Sequence, residues 1–256
     1  MEDLEIIIPV KNENKNITRV LDSFFYEVKT RFTVTICFDD YKDTTIPAIK
    51  KYDRRQQFKI KLLKNKYYGI NGAIKTAFEN SSSKVLLVYP ADDFFNADKI
   101  DKLNNLILNK HYDIVCPSRF MNGGVMYGCP FLKSILTRTA NFIFYYILRL
   151  PTHDATNGFR IFSKKTINTI DLELQKGPTF SLQLLVKAHR KKYNITEIPV
   201  VWYERVIGKS NFKVIEWVLP YVKWLIYAIN TVLSIKYCFV LIFFIISHNI
   251  RYATFK

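Results

Sequence analysis

The sequence predicts an α/β fold, a mostly parallel sheet flanked by helices, on three observations. Short apolar runs rich in β-branched and aromatic residues alternate with stretches of helical spacing through the first half of the chain. Polar patches fall directly behind those runs, where an open parallel sheet presents its ligand-binding edge. From Phe212 onward the chain turns aromatic and then apolar on all sides. Residues 1–211 are therefore read as the main domain and residues 212–256 as a helical tail.

Leu4 to Val10, Phe32 to Phe38, Phe58 to Leu63, Lys84 to Tyr89 and Asp113 to Cys116 read as strands, expected to be buried on both faces. Between the first two, Ile17, Val20, Leu21, Phe24, Phe25 and Val28 recur at steps of three and four residues, a helical stripe facing a sheet. Ile70 to Phe78 and Ile100 to Leu108 repeat the device. Leu132 to Leu148, apolar with Lys133 and Arg138, reads as a further helix, followed by a turn and a strand at Phe159 to Phe162. Phe180 to Lys191 has helical spacing with basic residues in its last turn, which suits the negative helix end. Ile195 to Val200 is the last expected strand.

In the tail, Trp217, Tyr221, Trp224, Tyr227 and Ala228 fall on one side, the pattern of an amphipathic helix lying in a membrane interface with its rings at headgroup level. Leu225 to Ser247 reaches spanning length with Asn230 and Lys236 inside it. A helical hairpin covering the domain is the alternative.

The net charge of +16, from 38 Lys and Arg against 22 Asp and Glu, favours anionic partners: nucleoside diphosphates, lipid phosphates or an anionic membrane. Nucleic acid is set aside, because no zinc-finger spacing, RNP-like aromatic motif or long basic block occurs. Cys37, Cys116, Cys129 and Cys238 are widely spaced and read as reduced, buried thiols, and the four histidines form no ligand cluster. The chain starts straight into a strand without a basic and apolar leader, so a cytoplasmic location is expected for the main domain.

Each patch has a chemistry. Pro9, Lys11, Asn12 and Glu13, with Asp39 and Asp40, offer carboxylates that can accept hydrogen bonds from ribose hydroxyls or a base N–H; a solvated acidic turn is the plainer reading. Asp92 and Asp93 are the carboxylates for a hard cation, Mg²⁺ or Mn²⁺, with Asp92 the candidate ligand and substrate phosphates completing the shell. They also suit the start of a helix capped by Asn96 or Asp98. Arg119 can pair with a phosphate, and Gly123 and Gly124 allow close backbone approach. Asp154 is expected in the acceptor or donor-sugar site, as a base or an orienting group, with Arg160 reaching toward phosphate. Arg205 and Lys209 flank Gly208 on a loop that reads as a basic lid over a diphosphate, or as a basic loop on lipid headgroups.

Taken in order, PVKNE at Pro9 to Glu13, FDDYKDTT at Phe38 to Thr45, YPADD at Tyr89 to Asp93, PSRFMNGG at Pro117 to Gly124, HDATNGFRIFS at His153 to Ser163 and EIPVVWYERVIGKSNF at Glu197 to Phe212 resemble one family. It is glycosyltransferase family 2, in the branch of the dolichyl- or polyprenyl-phosphate sugar synthases, and the resemblance runs over about residues 4 to 225. It implies a GT-A-like (Rossmann-like) catalytic domain with base and ribose contacts at Asp39 and Asp40. The family's D-x-D metal motif reads Pro90, Ala91, Asp92 here, so the first acid is absent.

The implied enzyme is an inverting, membrane-associated glycosyltransferase. It takes a UDP- or GDP-sugar and uses a polyprenyl or dolichyl phosphate acceptor, with Asp154, Arg119, Arg160, Arg205 and Lys209 as candidate catalytic residues. A glycan or glycolipid hydroxyl is the second acceptor class, an inactive nucleotide-sugar-binding partner is the third reading, and a homo-oligomer is left open.

Overall fold

The computed structural model describes residues 3–54, 58–204 and 219–231. The basic loop with Arg205 and Lys209, the aromatic Trp217 and the apolar run Tyr237 to Ser247 lie outside the described residues.

The chain alternates β1 (Leu4–Pro9), α1 (Ile17–Glu27), β2 (Phe32–Phe38), α2 (Thr45–Lys50), β3 (Lys59–Lys64), α3 (Gly69–Asn80) and β4 (Val85–Val88). A 3-10 turn, Ala97–Lys99, leads into α4 (Ile100–Leu108), then β5 (Ile114–Ser118), β6 (Val125–Tyr127) and α5 (Phe131–Phe142), which runs on as a π turn at Ile143–Ile147. β7 (Arg160–Ser163), α6 (Lys164–Thr169), α7 (Phe180–Arg190), β8 (Ile195–Pro199) and β9 (Val201–Tyr203) follow, and residues 219–231 are helical.

The main sheet has the order β3-β2-β1-β4-β7-β5-β8. Only β7 runs antiparallel, to β4 on one side and β5 on the other. Two reversals restore the direction, so β1 to β5 and β8 all end at one edge, where β7 begins. β6 and β9 form a separate two-stranded parallel ribbon.

Side chains alternate between two cores. Ile6, Ile8, Leu87 and Ile161 face α1 and α4, packing with Phe24, Ile100 and Leu103. Ile7, Leu86, Val88 and Phe162 face the other way onto Ala73, Ile74 and Phe78 of α3 and Leu182 and Leu185 of α7. Burying both faces is what lets the strands read as near-continuous apolar runs. Free Cys37 and Cys116 sit inside this packing, where burial raises both thiols above their ordinary range. Cys129 is half-buried and also free.

Three expectations are corrected. β3 is not buried on both faces: it is the edge strand, and Lys59, Lys61 and Lys64 blunt its open hydrogen-bonding side. The strand expected at Ile195 to Val200 forms, as β8, but it is not the last. β8 ends at Pro199, and the chain then leaves the main sheet to pair with β6.

Within residues 219–231, finally, the aromatic side of the tail packs on protein and not toward a headgroup layer. Trp224, 1% exposed, and Ala228 belong to the core beside α7, with Tyr221 and Tyr227 packed against it. Their polar ends are satisfied within the protein: Trp224 Nε1 donates to Gln175 Oε1 at 3.0 Å and Tyr221 Oη to Pro178 O at 3.1 Å. Burial pushes the Tyr221 phenol up to about 12. Among the described residues no helix is long and apolar enough to cross a membrane.

Candidate functional site

The strand order reverses between β1 and β4: β2 and β3 lie to one side of β1, the rest of the sheet to the other. Open α/β sheets bind ligands at the crevice outside such a point. The exits of β1 and β4 carry Pro9 to Glu13 and Asp92 to Asp93, flanked by Asp39 and Asp40 behind β2 and Arg119 behind β5. One edge therefore gathers every candidate residue that the described segments contain, with the exception of Arg160's side chain.

The β1 exit is tied to the loop behind β2. Asn12 adopts a left-handed conformation, φ 60°, and its amide donates to both oxygens of Asp43 at 3.1 Å. Glu13 N donates to Thr45 Oγ1 at 2.8 Å, and Asn16 Nδ2 donates to Glu13 Oε2 at 2.9 Å. Lys11 is exposed. Asp39 turns inward, accepting from Asn65 Nδ2 at 2.8 Å and Gly69 N at 3.3 Å, so it joins the exits of β2 and β3 to the start of α3. Asp40 is exposed and accepts Lys42 N at 2.9 Å.

Behind β4 the adjacent acids divide. Asp93 caps its own turn, accepting Phe95 N, Asn96 N and Asn96 Nδ2 at 2.9, 3.1 and 2.8 Å. Burial lifts its carboxyl to about 6 against the pull of these bonds. Asn96 passes the connection on, exchanging two hydrogen bonds with Val201 of β9 at 2.7 and 3.1 Å. Asp92 beside it is half-buried. Among the described residues no three His, Cys, Asp or Glu side chains gather around a common point. The described residues thus form no closed protein cage, and a hard cation held by Asp92 would need substrate phosphates to complete its shell.

Arg119 and Asp154 form the most heavily bonded pair. Arg119 Nε donates to Asp154 Oδ2 at 2.7 Å, Nη2 to Oδ1 at 2.9 Å, and the Arg119 amide to Oδ2 at 3.0 Å. Thr156 Oγ1 adds a bond at 3.3 Å. Gly124 serves this loop rather than a ligand: a Cβ there would lie 2.4 Å from Ser118 O and 2.8 Å from Arg119 C, so the close approach it permits is internal. Asn157 closes the turn, taking Phe159 N at 3.1 Å while its Nδ2 donates to Pro117 O at 2.9 Å, and Phe159 enters the core against Tyr89.

Arg160 differs from its expected role. It is wholly buried, with Nη2 on Asp154 O at 2.8 Å and Nη1 on Ser181 O at 3.3 Å. It supports the Asp154 turn from beneath and reaches no phosphate at the surface.

Two supporting residues have no role in the sequence reading, although Glu197 opens one of its motifs. Buried Asn141 in α5 accepts Ala155 N at 2.7 Å and donates to Thr156 Oγ1 at 3.0 Å. Glu197 in β8 accepts from Thr152 and His153. Both stand in segments with other polar residues, Thr137 to Thr139 before Asn141 and Thr196 before Glu197, so the sequence carries no signal that singles them out; their burial and partners do.

The comparisons bear on the family and the fold. The model of "Glycosyl transferase family 2" matches residues 5–170. A polyprenol monophosphomannose synthase of Mycolicibacterium smegmatis is 23% identical over 228 residues, covering 83% of this chain and 85% of that one. A dolichyl-phosphate hexose transferase of Haloferax volcanii is 25% identical over 230 residues, covering 83% and 94%. The solved mannosyltransferase of Pyrobaculum calidifontis, in complex with GDP-Man and Mn²⁺, superposes with a TM-score of 0.63 at 14% identity, covering 91% of this chain and 64% of that one, which places the fold as GT-A-like. With strand exits, acids and the Arg119 turn in the order that the family match spans, the chain belongs to glycosyl transferase family 2 and is a glycosyltransferase of the dolichyl/polyprenyl-phosphate sugar synthase-like branch.

Proposed function

We propose that this glycosyltransferase moves a sugar from a UDP- or GDP-sugar to the phosphate of a polyprenyl or dolichyl carrier, with inversion, at the cytoplasmic face of a membrane. The phosphate oxygen attacks the anomeric carbon opposite the nucleotide, the new C–O bond forms as the bond to the diphosphate breaks, and the nucleoside diphosphate leaves. The names of the curated relatives support the acceptor class. The nucleotide would lie across the exits of β1 and β2, with Asp39 and Asp40 on base and ribose. Its diphosphate would lie at Asp92, with Mg²⁺ or Mn²⁺ supplying charge neutralisation there. Arg205 and Lys209 would close over it.

One observation favours a phosphate acceptor over a sugar hydroxyl. A hydroxyl requires a general base, and the Asp154 carboxylate is wholly buried and already accepts from Arg119 and Thr156. A phosphate is ionised near neutral pH and requires none. Arg119, held rigid by Asp154, has Nη1 as the one guanidinium nitrogen with no hydrogen bond among the described residues, and that edge would meet the acceptor phosphate.

Membrane association has support from a different element than the tail. Leu132, Ile135, Leu136, Phe142 and Tyr146 are exposed along α5 and its π turn at helical spacing, with Arg138 beside them. An outward apolar stripe with basic flanks is the pattern of a helix lying in a lipid interface.

Wild-type protein is given UDP-glucose or GDP-mannose with undecaprenyl phosphate, and in parallel with the unphosphorylated alcohol. Transfer to the phosphate alone supports the reading. Transfer to the alcohol, or to neither while a glycan acceptor is glycosylated, overturns it, and no Mn²⁺-dependent nucleotide-sugar affinity at all would favour the inactive-partner reading.

A further inference from the structure

Glu197 stands in β8 between positions that serve the cores: Ile198 is buried in one, and Ile195 packs against the other. A carboxylate there is costly unless fully bonded. Among the described residues its three hydrogen bonds come from residues 152 and 153. Thr152 Oγ1 and His153 N donate to Oε2 at 3.0 and 2.8 Å, and His153 Nδ1 meets Oε1 at 2.5 Å. Thr152 Oγ1 in turn accepts Asp154 N at 3.1 Å.

Asp154 is thus held at both ends of its backbone, its amide through Thr152 to Glu197 and its carbonyl by Arg160 at 2.8 Å. Its side chain takes three bonds from Arg119, with Thr156 and Asn141 also donating to Oδ1. The π turn adds a second restraint, because Tyr145 stacks on His153 with ring centroids 3.7 Å apart and planes 26° apart. π turns inside helices cluster at functional sites, where they re-aim a side chain.

We propose that Glu197 is a positioning residue for glycosyl transfer, setting the Asp154–Arg119 pair at the sheet edge through Thr152 and His153. It touches no substrate. The inference rests on the glycosyltransferase activity and is independent of which acceptor is used.

The test compares Glu197→Ala, Glu197→Gln and Thr152→Val in the full chain. Nucleoside diphosphate release from UDP-glucose and GDP-mannose is measured with water alone and with detergent-solubilised undecaprenyl phosphate. Amide hydrogen exchange is followed across residues 150–160. Glu197→Ala and Thr152→Val are expected to lower kcat by about 10- to 100-fold with donor KM and nucleotide affinity nearly unchanged, the signature of a misplaced reacting group.

Glu197→Gln keeps an oxygen for Thr152 and His153 N and should recover most of that loss. The double variant should be no worse than the poorer single one, since both break one relay. Exchange should quicken in residues 150–160 in the impaired variants. Wild-type kcat in a folded Glu197→Ala or Thr152→Val, a loss confined to KM, or additive effects in the double variant overturns the proposal. Should Glu197→Ala fail to fold, the Gln and Thr152→Val pair decides. Hydrolysis without transfer to undecaprenyl phosphate counts against the acceptor reading alone, because release to water still scores Glu197.

Discussion

Arg119 grips Asp154 with its Nε at 2.7 Å and Nη2 at 2.9 Å, joining the exit of β5 to the turn before β7 across 35 residues of chain. The pair is nearly dry, with the Asp154 side chain unexposed and that of Arg119 9% exposed. Burial is the largest single influence on the Arg119 guanidinium and pulls it down, but the attraction of Asp154 and its hydrogen bonds together outweigh it and raise the group.

Breaking such a pair leaves a buried charge without compensation. Asp154→Asn is expected to destabilise the fold by about 3–5 kcal/mol, read from urea denaturation. Arg119→Lys keeps the charge but loses the two-pronged geometry, and should raise acceptor KM more than donor KM in steady-state transfer.

Asp43 holds the β1 exit by accepting the Asn12 and Thr45 amides. Hydrogen bonds to a charged partner contribute about 1.5–3 kcal/mol. Asp43→Ala should therefore weaken nucleoside diphosphate binding by roughly tenfold or more in calorimetric titration. An unchanged affinity would mean that this loop does not shape the nucleotide site.

The helix at 219–231 offers a contrast within one element. Trp224→Ala removes a buried ring and should cost about 3–5 kcal/mol of stability. Leu219→Ser, at a position 76% exposed, should change stability by less than about 0.5 kcal/mol. Thermal unfolding of the two variants tests whether the aromatic face covers the domain.

On α5 the exposed stripe makes the opposite demand. Ile135→Glu together with Leu136→Glu should reduce co-sedimentation with anionic vesicles while leaving nucleotide affinity and unfolding temperature unchanged. Loss of stability instead would place those side chains inside the protein.

Much of the sheet was legible because its strands are buried on both faces. Phe32 to Phe38 has the same bounds in sequence and structure, since all seven of its residues are buried and polar turns flank it. β6 and β9 were not legible: three-residue strands carry no period, and Val201 to Tyr203 continues the apolar run of β8 until Pro199 and Val200 turn it away. The side of the tail that carries Trp224 was visible as a stripe, but periodicity gives a face without saying whether protein or lipid covers it.

In the site, the positions of Arg119 and Asp154 were readable as motifs and their contact was not, because it depends on β7 inserting between β4 and β5. The same insertion puts Arg160 under the Asp154 turn, where its charge looked destined for phosphate. Asp93 read as a second acid beside the candidate ligand Asp92, with no direction legible for its carboxylate, which the Phe95 and Asn96 amides take up.

On the proposed reading the acids behind β1, β2 and β4 hold one nucleoside diphosphate between them, with Asp92 at the cation on its diphosphate. Isothermal titration of UDP and of GDP, with and without Mn²⁺, into wild type and Asp92→Asn tests it most directly. One nucleotide is expected to bind more tightly with Mn²⁺ in wild type, and Asp92→Asn to abolish the difference; equal affinity with and without the metal in both proteins would contradict a cation held at Asp92.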